Sequence, residues 1–262
     1  MENLVKSYTL FLGLILLNIP IIKAQNSIYR NISSYGTISY PAIRKIDFET
    51  GDFSQIEPGD IFSHRPEDIP ILNNEIVHGG SYSVKCSLPG SGYDAGSSFV
   101  RMKGFPLIDL YYDWWIYINE GYDAGSNWNM ICEWYPQNSI GANHHVAICF
   151  INAHGIKNNL FFNFRTIHVE WEVPGASSKY ECAQIYSDIE MPTGRWVHFN
   201  VIYRYHASSG QIVVKMDGQN VLIWNGKTTF NSTSKMQWGF GTYCSPDNDP
   251  HSFYFDDIII YE

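Results

Sequence analysis

From residue 43 to the C-terminus, apolar and polar positions alternate with a period of two. The runs are short and separated by Gly, Pro, Asn, Asp and Ser. The pattern predicts strands over residues 81–87, 97–103, 109–118, 127–135, 144–152, 160–166 and 168–173. Further strands are predicted over 196–205, 211–216, 220–224, 237–243 and 253–261. Residues 45–53 read as an opening strand that ends in a Gly51-Asp52 turn, and Ser209-Gly210 and Asp217-Gly218 read as hairpin turns. No segment carries a capped apolar period of 3.6 residues, and only a short helical turn is expected, over 70–76. Many short strands with regular turn signals predict an all-β fold, a two-sheet antiparallel sandwich.

The first residues follow another rule. Lys6 precedes an apolar run over 8–22, which closes on Lys23-Ala24-Gln25. A charged, then apolar, then small-residue order is that of a signal peptide, and the run is short for a membrane span. The expected organisation is a signal peptide over 1–24, a polar lead-in over 25–42 and one β domain over 43–262. A retained anchor is the alternative. Export implies a secreted or periplasmic protein with no membrane contact after cleavage. The net charge of −9 argues against nucleic acid as a partner, and a monomer is expected.

The five cysteines are Cys86, Cys132, Cys149, Cys182 and Cys244; the count is odd and contains no CxxC pair, which gives no zinc signature. Cys132 and Cys149 lie on consecutive predicted strands and could bridge. The other reading makes the cysteines buried small apolar residues.

The final third of the chain carries a recognisable order. A Gly194-Arg-Trp196 strand is followed by an Asp217-Gly218 hairpin, a Gly241-Thr-Tyr243 strand and a closing Phe255-Asp-Asp257 strand. This order resembles the concanavalin A-like jelly-roll polysaccharide lyases, the heparin lyase I, glucuronan and alginate lyase group. The resemblance implies a jelly roll that cleaves a uronate-containing glycan by β-elimination. The reaction neutralises the uronate carboxyl, removes the C5 proton and protonates the leaving oxygen.

By that resemblance, Tyr243 matches the tyrosine of Gly-x-Tyr, and Arg101 matches the arginine of Arg-x-Glu-Leu, although Met102-Lys103-Gly104 follows it here. Glu133 stands where the group shows the Gln of Gln-x-His, which reads Glu133-Trp-Tyr135 in this chain. Tyr243, His145, Arg101 and Glu133 are the expected catalytic set, with Tyr135, His144, Arg165 and Trp134 binding substrate. A carboxylate neutralises another carboxylate poorly, so a noncatalytic, lectin-like carbohydrate-binding module is the competing reading.

Asp47, Glu49 and Asp52 near the start and Asp256-Asp257 near the end form an acidic set. Such jelly rolls commonly place their first and last strands side by side, and several hard oxygens suit structural calcium. His168, Glu170 and Glu172 share one strand face, the pattern of a polar edge or of paired carboxylates. Of the eight tryptophans, Trp196 and Trp238 are expected in the core.

Overall fold

The computed structural model describes residues 41–63, 65–89, 96–136, 145–165, 182–228, 235–244 and 250–262. The chain divides into Met1–Tyr40 and Pro41–Glu262. The expected signal peptide, most of the lead-in, His144 and the 168–173 strand lie outside the described residues.

The strands run in chain order as β1 Ala42–Ile46, β2 Ile61–Ser63, β3 Ile71–Asn73, β4 Ser83–Leu88, β5 Gly96–Phe105, β6 Leu110–Ile118, β7 Asn129–Pro136 and β8 His145–Ala153. They continue as β9 Ile156–Arg165, β10 Cys182–Glu190, β11 Trp196–Arg204, β12 Gly210–Met216, β13 Gln219–Gly226, β14 Met236–Cys244 and β15 His251–Tyr261. They form two antiparallel sheets, one of eight strands in the order β13-β12-β11-β6-β15-β4-β3 with β1 beside β15. The other has seven, in the order β10-β9-β8-β7-β14-β5-β2. This is the jelly-roll sandwich that the alternation predicts. The helical turn expected over 70–76 is instead a 3-10 turn at Pro66–Asp68 followed by β3. Strands β2 and β10 were not legible.

The core lies between the sheets. Along β6 and β11, every second residue is buried, which places Tyr112, Trp114, Ile116, Phe199, Val201 and Tyr203 inside. Trp134, Trp238, Phe162 and Phe164 meet them from the seven-stranded sheet. Burying one such side chain stabilises by about 1.5–3 kcal/mol, so this shared interior holds the sheets face to face.

Strand β15 changes neighbour midway. Its first half pairs with β4 up to Phe255↔Val84, and its second half pairs with β1 from Ile258↔Ile46. The register against β6 breaks between Asp256 and Ile259, and Asp257 sits at φ 48°. First and last strands are therefore adjacent, and Asp256-Asp257 marks the switch between partners.

The candidate active site

The outer face of the seven-stranded sheet carries a polar row across its strands. Arg101 on β5 pairs with Gly239 on β14, which pairs with Glu133 on β7. Glu133 pairs with Ala147, Ala147 with Asn163, and Asn163 with Gln184. Gly239 is the condition for the central contact. A Cβ there would lie 3.0 Å from Arg101 Cγ and 3.2 Å from Phe99 Cδ1. Without it, Arg101 reaches over β14 and donates from Nε to Glu133 Oε1 at 2.9 Å, with Nη2 2.8 Å from the same oxygen.

Glu133 is 3% exposed. Burial pushes its carboxyl above the usual range, and the Arg101 charge and hydrogen bond pull it back only in part. The guanidinium carbon also lies 5.8 Å from the Phe99 ring centre and 5.9 Å from that of Tyr135, within cation–π range. The structure thus gathers Arg101, Glu133 and Tyr135.

Tyr243 lies on the same sheet but not in this cluster. It pairs with Ser97 and Met130, four residues along β14 from Gly239, which is about 13 Å at the strand rise. The sequence expectation had placed it in one catalytic set with Arg101 and Glu133. Its ring instead meets Trp128 edge-on, centroids 5.1 Å apart, beside a small apolar cluster of Phe99, Met130, Ala147, Cys149 and Phe161. His145 and Arg165 pair backbone to backbone at the β8–β9 end of the sheet.

Several expectations need correction. Trp134, expected to bind substrate, is fully buried between the sheets against Tyr112 and Tyr203. Strand alternation sets Glu133 and Tyr135 outward and Trp134 inward. Trp196, expected in the core, lies partly exposed on the outer face of the eight-stranded sheet, with its Nε1 donating to Val77 O at 3.0 Å. Cys132 and Cys149 do not bridge; both are buried thiols. A register shift between Met130 and Cys132 leaves Cys132 in the core, while Cys149 packs on the outer face.

The acidic set is built differently from a strand face. Strand β1 stops at Ile46, and Phe48 turns through φ 59° into the core, so Asp47 and Glu49 belong to a turn. Asp47 accepts from Gln55 Nε2 at 2.8 Å and pairs with Lys45 at 3.1 Å. Asp52 caps its own turn through Ser54 N. Glu49 accepts from Ser81 N at both oxygens and from Tyr82 N. Asp256 Oδ2 accepts from His78 N at 2.9 Å and Gly79 N at 3.2 Å, and Asp257 Oδ2 lies 2.7 Å from His78 Nδ1. These carboxylates clasp the 78–82 loop through N–H donors. Among the described residues no three His, Cys, Asp or Glu side chains gather as a metal cluster.

The sequence reading missed Gly239, Asn163, Gln184 and Tyr186. Tyr186 donates to Gln184 Oε1 at 2.7 Å, at the far end of the row. The signal for Gly239 was its place two residues before Gly241, where an outward side chain is otherwise expected.

Comparisons agree with this architecture. The structure is similar to an endo-β-1,4-glucuronan lyase from the fungus Trichoderma reesei, with 14% identity over 84% of this chain and 95% of the other and a TM-score of 0.62. It is similar to an alginate lyase from Aplysia kurodai, at 12% identity over 79% and 92% and a TM-score of 0.56. The cellulose-induced protein Cip1 shares 18% identity over 82% and 95%, with a TM-score of 0.55. At these identities the likenesses establish the fold. No curated protein sequence matches. The polysaccharide lyase family pattern matches residues 48–259, nearly the whole sandwich, and the chain belongs to the polysaccharide lyase family.

Proposed function

We propose that this chain is an exported lyase that cleaves a uronate-containing glycan by β-elimination on the outer face of the seven-stranded sheet. The observation that carries the reading is the Arg101–Glu133 pair meeting across Gly239 beside Tyr135. Arg101 supplies the positive charge that a uronate carboxylate needs. Glu133, raised by burial, is a carboxylate shifted toward the basicity a proton acceptor requires. In the proposed step Glu133 takes the C5 proton, and the electron pair forms the C4–C5 double bond. The C4–O bond breaks, and the Tyr135 hydroxyl gives its proton to the leaving oxygen. Tyr243 and Trp128 form an aromatic platform for a neighbouring sugar unit, since a ring pair on an open face suits the apolar side of a pyranose.

Export rests on the sequence pattern of residues 1–24. Structural calcium rests on the acidic pattern alone and would use the lone pairs of Glu49 and Asp257 that the loop N–H groups leave over. A binding module is the second reading, favoured by the contact between Arg101 and Glu133, which already occupies the arginine.

The deciding experiment mixes the full chain with polyglucuronate, alginate and heparin and follows the ultraviolet absorbance of the unsaturated product. A rise with one glycan is expected. Binding of a uronate glycan with no absorbance change would replace the lyase reading with the binding module.

A further inference from the structure

The opposite sheet carries a cavity of mixed polar and apolar lining that the lyase reading does not use. Its volume is about 350 Å³, at the small end of ligand pockets, and Lys85, Ser87, Ser252, Asn119, Glu67 and His251 line it. Its floor is built by strand register. Ser87 on β4 pairs with Ser252 on β15, and their hydroxyl oxygens lie 2.8 Å apart. One hydroxyl donates to the other, so the second retains its proton for another acceptor, and lone pairs remain on both.

Lys85 stands at one wall. Its Nζ is held 5.8 Å from the Tyr254 ring centre. The ion pairs among the described residues engage Lys45, Arg65, Arg101, Lys103, Lys157 and Arg195, but not Lys85. Glu67 and Asn119 stand among the lining residues as well. A cation, two hydroxyls, an amide and the Glu67 carboxylate suit a small polyhydroxylated anion, and the second carboxylate of the lining, Asp68, is paired with Arg65 at 3.6 Å. Its carboxyl would face Lys85, and its hydroxyls would face Glu67, which repels a carboxylate but accepts from O–H.

From Lys85, the same sheet continues into a row of aromatic residues. Lys85 pairs with Tyr254, Tyr254 with Tyr117, and Tyr117 with Trp196 across β4, β15, β6 and β11. The ring centres of Tyr117 and Tyr254 are 5.9 Å apart, and those of Tyr117 and Trp196 are 5.8 Å apart. Tyr117 and Trp196 are partly exposed, and the bond from Trp196 Nε1 to Val77 O fixes that ring. Three strand spacings make the row about 14 Å long.

The geometry points to a second, noncatalytic binding site for an anionic glycan on the eight-stranded sheet. One uronate unit sits in the Lys85–Ser87–Ser252 cavity, and the following units lie over Tyr117 and Trp196. The choice of uronate rests on the lyase reading; the cavity and the row do not. Such a site would hold polymer while the other sheet cuts it.

The test is affinity electrophoresis of the full chain in gels containing polyglucuronate, alginate or neutral dextran. Arg101→Ala disables the first site, and Lys85→Ala, with Ser87→Ala as a second and milder variant, disables the cavity. Arg101→Ala is expected to keep a retardation specific to an acidic polymer, and Lys85→Ala on that background to weaken it about tenfold, the typical worth of one charge-assisted hydrogen bond. Ser87→Ala should weaken it less. Circular dichroism confirms folding of each variant. Loss of all retardation in Arg101→Ala alone, no effect of Lys85→Ala, or equal retardation by dextran would each overturn the site. Absence of unsaturated product would sink the lyase reading and leave this result standing.

Discussion

Arg101→Met is the substitution that probes the centre of the row. It keeps the length and apolar stem of the side chain and removes the charge above Glu133. Glu133 is 3% exposed, so its carboxylate would lose the cation that offsets its desolvation. Stripping one partner from a fully buried pair costs about 3–5 kcal/mol, but the Arg101 side chain is 27% exposed and solvent screens part of the interaction. The expected loss is therefore about 2–3 kcal/mol near pH 8.

The loss has a sign in pH. Glu133 already has its folded-state pKa raised, so its charge lowers stability as pH rises from the ordinary carboxylate range through the folded value. Without Arg101 that window extends upward, and below it the group protonates and the cost falls. Urea unfolding at about pH 5 and about pH 8 should show the larger difference between variant and parent at the higher pH. Glu133→Gln removes the charge at nearly constant shape and should change stability little. The double variant should recover much of the loss, with a coupling of about 1–2 kcal/mol. A cost below about 1 kcal/mol at pH 8, or one independent of pH, would refute the buried pair as the organising contact.

Glu133→Gln and Tyr135→Phe should each lower kcat by about a hundredfold or more on the cleaved glycan, while Tyr243→Phe should raise KM and largely spare kcat. Steady-state kinetics on one substrate separates these, and a hundredfold fall in kcat for Tyr243→Phe would return the proton-transfer role to that residue. Burial raises the Asp256 carboxyl to about 6, against the donors His78 N, Gly79 N and Asp257 N. Its charge therefore lowers stability as pH climbs from the ordinary aspartate range to about 6, and Asp256→Asn should flatten that part of the stability profile. If calcium binds the Glu49–Asp257 clasp, excess chelator should lower the melting temperature, because an ion held only by the folded state stabilises it by mass action; an unchanged temperature removes the ion.

The alternation of apolar and polar residues along 109–118 and 196–205 was enough to identify β6 and β11, because each has one face in the core and one outside. The same rule blurred where both faces are covered. Met236–Cys244 is buried at all but one position, so period alone could not say that Trp238 faces inward and Gly239 outward. The resemblance also led to the expectation that the first strand lies beside the last, with Asp256-Asp257 in the acidic set there, and the pairing of β1 with β15 agrees with the first part. It could not show that Asp256 and Glu49 hold the 78–82 loop, since their donors there are backbone N–H groups that carry no side-chain signature. Arg101 and Glu133 were both picked out as candidates, but their contact was not legible. It depends on two strand registers converging on one glycine, and Arg101 and Glu133 are 32 residues apart in the chain. A register shift on β7 likewise decided the faces of Cys132 and Cys149. Local pattern sets which segments become strands, whereas register, bulges and the packing of one sheet on the other decide which side chains meet.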